Sequence, residues 1–249
     1  MGRSVAYWVC TFKRGVAVQT PSGLDLSRIV FIGRTADEYL AMFNLSWPEL
    51  KNRRVLDCPA GACSFTAHAN AQGIKATAVD SAYHYPVRDL EAKGLQDIDY
   101  TMASLQPARD LYRWNFFKDI EELTATRRRA LNDFVSDMKQ FGASRYGPAL
   151  LPQLPFADKE FDITLSGHFL FLYADKIDDS FHRNTLKELM RVTRRDIRVF
   201  PTVDMNGCRY PGWDALIAWS REQGWDAKEI MGSYEFQRNA NTMLWLTAH

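Results

Sequence analysis

Most of what this chain of 249 residues lacks removes a class of function. No stretch reaches the roughly eighteen uncharged apolar residues of a membrane span. Met1 to Val18 contains no continuous apolar core of an export signal. A cytoplasmic protein with no membrane partner is therefore expected. An excess of one charge is also missing: 31 Lys and Arg face 30 Asp and Glu, a net charge of +1. That is too little field to hold a phosphate backbone by counterion release, so nucleic acid is not an expected partner. The four cysteines, Cys10, Cys58, Cys63 and Cys208, show neither C-x-x-C spacing nor the density of a disulfide scaffold, which predicts reduced thiols and no metal. Internal repeats and low-complexity tracts are absent. What remains is a globular protein whose 46% hydrophobic residues can fill the core of one large domain.

The positive signal begins at Arg53. Val55 and Leu56 suit a buried strand that ends on Asp57. Pro59 and Gly61 suit a sharp turn, and Ser64 to Ala71 can start a helix. With no bulky side chain in the turn before Phe65, a ligand has room against the amides of that helix. A second apolar run, Ile74 to Val79, ends at Asp80, 23 residues after Asp57. A doubly wound sheet places the acid that takes ribose hydroxyls about twenty residues past such a turn.

Val5 to Val9 and Arg28 to Ile32 read as short strands around a Pro21-Ser22-Gly23 turn. Thr35 and Glu38 have the spacing of a capping box, which predicts a helix from Ala36 to about Asn44. Arg34, just before it, is either a surface cation or a clamp for a ligand carboxylate. Ser81 to Gly147 is too long for an ordinary α/β connection and reads as an insert, a helical cap at about 81–147. In it Ile120, Leu123, Leu131, Phe134, Val135, Met138 and Phe141 recur at helical spacing and bury one face. Arg127-Arg128-Arg129 reads as the wet face of that helix. Tyr83, Tyr85, Tyr112, Trp114, Phe116, Phe117 and Tyr146 are more aromatics than a solvated linker carries, and some are expected to line a pocket. Past a Leu154-Pro155-Phe156 turn, Phe161 to Leu165 is a strand ending at Ser166-Gly167-His168, on the same sheet edge as Gly61. A helix over Asp179 to Thr193, a strand over Ile197 to Phe200, a helix over Gly212 to Gln223 and two closing strands near Glu229 and Met243 to Thr247 complete the alternation.

A strand, turn, helix and ribose acid would serve a nicotinamide or flavin enzyme, but pyrophosphate needs G-x-G-x-x-G so that backbone can approach it. Here Gly61 stands among Pro59, Ala62 and Cys63, which suits a ligand without phosphates. S-adenosylmethionine is such a ligand, with a diol for Asp80 and an amino-acid end for the turn.

Val55-Leu56-Asp57-Cys58-Pro59-Ala60-Gly61, Asp80, Leu154-Pro155-Phe156, Phe161-Asp162 and Ser166-Gly167-His168-Phe169-Leu170-Phe171 resemble the ordered motifs of class I S-adenosylmethionine-dependent methyltransferases. The resemblance covers about 34–80 and 150–249. It implies an α/β, Rossmann-like methyltransferase sheet with helices on both faces, in a single S-adenosylmethionine-binding domain spanning 1–249. It puts Asp57, Ala60 and Gly61 beside the methionine end and Asp80 on the ribose. The family's acid before the Leu-Pro-Phe turn, which takes the adenine amine, has no counterpart among Leu150, Leu151, Pro152 and Gln153; Gln153 or a backbone amide would stand in.

Methyl transfer to a small molecule is the reaction this implies, with S-adenosylhomocysteine as product. His168 is a candidate base or a satisfied core histidine. Tyr173 either packs or offers its ring to the sulfonium, worth about 0.5–2 kcal/mol. Thr202 is a candidate for the same pocket. The chain is also similar to methyltransferase-like cyclases that convert S-adenosylmethionine alone to azetidine-2-carboxylate and methylthioadenosine. On that reading Asn132, Tyr173 and a hydroxyl of Ser166 or Thr202 would fold the aminobutyryl chain. A third reading is a binding module without catalysis.

Overall fold

Strand β1 (Arg54–Asp57) lies inside the sheet between β2 (Lys75–Asp80) and β4 (Phe161–Gly167), both parallel to it. Side chains alternate across a strand, so Val55 enters one core and Leu56 another; on β2, Ala78 and Val79 divide in the same way. Burial on both faces is why these strands read as continuous apolar runs. The computed structural model describes residues 30–248. The expected strand at Val5 to Val9 lies outside the described residues, as do Arg28 and Ile29.

The described strands form one seven-stranded sheet in the order β3-β2-β1-β4-β5-β7-β6. Strand β3 (Tyr146–Pro148) runs parallel to β2, and β5 (Thr193–Phe200) parallel to β4. Strand β7 (Thr242–Ala248) is antiparallel to both β5 and β6 (Trp225–Met231). The arrangement is the Rossmann-like order 3-2-1-4-5 with an antiparallel pair added, the class I methyltransferase sheet that the resemblance implies.

Helices cover both faces. Helix α1 (Ala36–Met42) starts at the expected capping box: Thr35 N donates to the Glu38 carboxylate at 2.9 Å and Glu38 N to Thr35 Oγ1 at 3.3 Å. A short α2 (Trp47–Leu50) leads into β1, and α3 (Phe65–Ala71) follows the turn. Helices α4 (Val87–Leu105) and α5 (Ile120–Phe141) lie between β2 and β3 and pack with α1 and α3 on the first core. Helices α6 (Asp179–Val192) and α7 (Trp213–Glu222) fill the second.

Three expectations needed correction. Val30, Phe31 and Ile32 form no strand, because Phe31 N donates to the Asp97 carboxylate on α4 at 2.6 Å rather than to a sheet neighbour. The segment passes instead against the β1–α3 turn, so closely that a Cβ on Gly33 would lie 1.8 Å from the Ala62 carbonyl oxygen. The segment after β2 holds two long helices rather than one. Arg127 is not on a wet face: it is 2% exposed, whereas Arg128 and Arg129 are exposed. Four residues after Leu123 and four before Leu131, it belongs to the buried stripe of α5.

Candidate active site

Strands β1, β2, β4 and β5 end on one side of the sheet, where open α/β sheets bind ligands. A cavity of about 700 Å³ lies there, walled by the β1–α3 turn, the ends of β2 and β4, helices α4 and α5, and the segment from Tyr234 to Ala240. That volume is in the range of small-molecule sites.

The turn is fixed by the strand ends beside it. Ala60 N donates to Val79 O at 3.0 Å, Gly61 N to Asp80 Oδ2 at 2.9 Å, and Tyr83 Oη to Gly61 O at 2.7 Å. Gly61 has φ +55°, and an added Cβ would meet nothing within 4 Å, so the turn faces open space. Asp80 Oδ1 takes a second amide, Ala82 N, at 2.8 Å. Burial pushes the Asp80 pKa up against these two amides. The Ser81 side chain also bonds Asp80, and since a carboxylate has about four acceptor sites, about one remains for a ligand hydroxyl.

Beyond the turn sits a buried charge cluster. Glu38, fully buried on α1, takes both terminal nitrogens of Arg127 at 2.6 and 2.8 Å, and Tyr234 Oη at 2.9 Å. Burial alone would raise the Glu38 pKa, but Arg127 and then Arg34 hold it below the usual carboxylate value. Arg34 has a side chain 19% exposed, lines the cavity, and leaves its buried Nε without a hydrogen-bond partner. Two guanidinium groups against one carboxylate give this wall a surplus positive charge. His168 lies on the same wall, and its pKa is well below the ordinary histidine value through burial and then through Arg34 and Arg127.

The sequence candidates divide accordingly. Arg34, Ala60, Gly61, Asp80, His168 and Tyr173 line the cavity. Asp57 does not: by strand alternation it shares the face of Val55, points to α1, and accepts from Tyr39 Oη at 3.0 Å. Burial raises its pKa well above the carboxylate value, and Oδ2 has no partner. Ser166 is buried off the cavity because it alternates with the cavity-side end of β4. Thr202 is buried with its hydroxyl on Glu229 at 3.0 Å, joining the end of β5 to β6. Asn132 is exposed on the far face of α5, opposite Leu131 and Phe134. Gln153 is exposed on a separate depression with Lys187 and Arg191; Leu150, Leu151 and Pro152 meet the cavity instead. The amides starting α3 are not on the wall either, which the turn residues Cys58 to Gly61 and Cys63 form.

No family model matches the chain. Uncharacterized protein MJ0045 of Methanocaldococcus jannaschii is 32% identical over 222 residues, 89% of this chain and 97% of that protein. The chain belongs to the MJ0045 family. Among solved structures, its course is similar to an S-adenosylmethionine-dependent methyltransferase from Aquifex aeolicus, with TM-score 0.43, 12% identity, and 85% and 93% of the two chains covered. It is also similar to magnesium protoporphyrin IX methyltransferase from Synechocystis with bound S-adenosylhomocysteine, with TM-score 0.45, 10% identity, and 86% and 82% covered.

Several wall residues of this MJ0045 relative escape a reading by motif. Arg127 had a usable signal in its register with Leu123 and Leu131. Gly33, which abuts the turn behind the wall rather than lining the cavity, had none, since its need arises from a backbone 29 residues away, Ala62. Tyr234, Phe236, Gln237 and Ala240 come from the connection between β6 and β7, which has no periodicity.

Proposed function

We propose that this protein binds S-adenosylmethionine in the cavity and uses it to methylate a small molecule. The observation that carries the reading is the joint between Asp80 and Gly61, which sets a carboxylate with a spare acceptor site beside an open turn. The groups present fit the ligand. Asp80 would hold a ribose hydroxyl, the Ala60 and Gly61 backbone the methionine end, and Arg34, whose Nε makes no hydrogen bond, the carboxylate. Adenine would lie against Leu150 and Leu151. Bound there, S-adenosylmethionine supplies a methyl group on a positive sulfur.

Strand order sets the direction of the site. From the end of β2 to the end of β4 is two strand spacings, about 10 Å, with the β1 turn between. A ligand anchored by its ribose on Asp80 therefore presents its far end near His168 and Tyr173. Burial raises the Tyr173 pKa, which keeps the ring a neutral phenol. The chain would act as one domain in which helices α4 and α5, within 81–147, form the cap that excludes water while Arg34 and the turn hold the reactants in line. The unpaired thiols Cys58 and Cys63 suit a cytoplasmic protein.

One observation also suits the intramolecular reaction. Arg34 and Arg127 disfavour an ammonium group, so they would help an aminobutyryl amine attack as the neutral base. The 700 Å³ of space favours a second molecule. The deciding experiment is calorimetry with S-adenosylmethionine and S-adenosylhomocysteine, followed by mass spectrometry of products. Binding that drops on Asp80→Asn supports the reading. No affinity for either ligand would sink it, and methylthioadenosine formed without an acceptor would turn it into the cyclisation.

A further inference from the structure

The end of the cavity away from Asp80 has a wall of its own. Strand β7 begins four strand spacings from β2, about 19 Å, and the connection that precedes it meets the link between α4 and α5 there. Arg113 N donates to Phe236 O at 2.7 Å, and Arg238 Nε to Asp110 O at 2.8 Å. Tyr112 and Gln237 face each other as an isolated antiparallel bridge, and both line the cavity. Phe236 is held on three sides, stacked on Tyr112 at 4.8 Å and met edge-on by Trp114 at 5.4 Å and Phe117 at 5.3 Å. With Phe31, Met102 and Leu105 it makes an apolar lobe with flat aromatic surface. Two polar atoms interrupt that surface. Tyr112 Oη makes no hydrogen bond among the described residues, and burial raises the phenol's pKa against the pull of Arg34, so it stays a donor. Gln237 Nε2 donates to Asp204 O at 2.8 Å, which fixes the amide and leaves Oε1 as an acceptor without a partner. Bridge partners have Cα atoms about 5 Å apart, so this donor and this acceptor come from neighbouring backbones.

We propose that this lobe is the subsite of the second substrate, and that it takes an uncharged planar nitrogen heterocycle of the lactam type. The carbonyl of the ring accepts from Tyr112 Oη, and the adjacent ring N–H donates to Gln237 Oε1. The role as second-substrate subsite rests on the methyl-transfer reading, whereas the ligand class follows from the lobe. Its charges are already committed: Arg127 to Glu38 at 2.6 and 2.8 Å, and Lys93 to Asp97 at 2.7 Å. Once Arg34 holds the methionine carboxylate, an anionic ring would lose its hydration with no cation to replace it, and a cationic ring would find no free carboxylate. A ring of hydrocarbon alone would leave the Tyr112 hydroxyl and the Gln237 carbonyl unpaired in a dry site, which is costly for each. A neutral ring with an acceptor and a donor on adjacent atoms satisfies both and lies flat against Phe236.

The test uses 2-quinolone, a fluorescent lactam, titrated against the whole protein alone and with saturating S-adenosylhomocysteine. The expected result is saturable binding in both cases, and with S-adenosylhomocysteine present an affinity at least about tenfold above that for quinoline-2-carboxylate. Two changes should each weaken binding about five- to tenfold, the worth of one hydrogen bond: the probe 1-methyl-2-quinolone, which lacks the N–H, and the variant Tyr112→Phe, which keeps the stacked ring without the hydroxyl. Tyr112→Phe should leave the melting temperature unchanged, since that hydroxyl bonds nothing in the protein. An absence of saturable binding, displacement of the probe by S-adenosylhomocysteine, equal affinity for the carboxylate, or full affinity in Tyr112→Phe would each overturn the proposal. Because the probe is also titrated against the protein alone, failure to bind S-adenosylhomocysteine counts against methyl transfer, and failure to bind 2-quinolone against the lactam subsite.

Discussion

Replacing Arg127 by Met should be among the costliest single changes in the described chain. Of the five donors on the Glu38 carboxylate, two come from Arg127 and three from Thr35 N, Thr35 Oγ1 and Tyr234 Oη. The variant keeps three neutral donors but strands a fully buried negative charge, with Arg34 Nε at 3.9 Å as its nearest cation. Breaking a buried pair by removing one partner costs about 3–5 kcal/mol. For a chain of this size that is a fall of roughly 6–20 °C in Tm. Glu38→Gln/Arg127→Met should recover most of the loss, since it leaves no buried charge. The pH dependence has a definite sign. In the wild type Glu38 is held below its ordinary pKa, so its contribution is complete above about pH 4.3 and is lost as pH falls through the folded value. In Arg127→Met only Arg34 and the remaining donors still oppose burial, so the folded pKa rises, and the deficit should shrink between about pH 7 and pH 5 as the carboxyl takes a proton. Urea unfolding followed by circular dichroism at both pH values measures this. A loss below about 1 kcal/mol, the scale of exposed ion pairs, or a deficit independent of pH, would refute the account.

Other outcomes follow from the same geometry. Asp80→Asn should weaken S-adenosylhomocysteine binding by about ten- to a hundredfold in calorimetry, the worth of a charged hydrogen bond. Gly33→Ala should displace the Ala60 to Ser64 turn, seen as lost affinity together with a lower Tm, because the new methyl meets backbone at 1.8 Å. Asn132→Ala and Gln153→Ala should leave affinity unchanged and stability within about 0.5 kcal/mol, as at exposed sites generally. Cys63 has its pKa pushed up to about 12 by burial. At about pH 8 only about one in ten thousand of its thiols is ionised, so in a Cys10→Ser background Ellman's reagent should label exposed Cys208 first and Cys63 only on unfolding.

The sequence was most legible where one local rule decided the outcome. The capping box at Thr35, the apolar runs of β1 and β2 and the stripe of α5 each follow from residues that are near in the chain. Helix α4 was missed because its buried face includes Gly94 and Asp97 among Leu90, Ile98 and Met102, which breaks the apolar period. Strand β3 was missed because three residues with a glycine and a proline carry no pattern. In the site, Gly61 and Asp80 stand at strand ends that the runs themselves predict. Asp57 was misplaced because alternation, not proximity to the turn, sets where its carboxylate points. Arg127 was misread because the exposed Arg128 and Arg129 that follow it masked its register.

Strand β7 comes after β6 in the chain but lies between β5 and β6 in the sheet. During synthesis β6 therefore emerges with no strand to pair with, and its ladder must wait for residues made later. A protein cut before Thr242 would lose two strands for the removal of one, leaving Trp225 and Ala227 without their lateral support. The edge of β5 would also lie open, an invitation to pair with another chain. For this fold the late strand is a latch, and incomplete chains should be recovered as aggregates rather than as smaller folded cores.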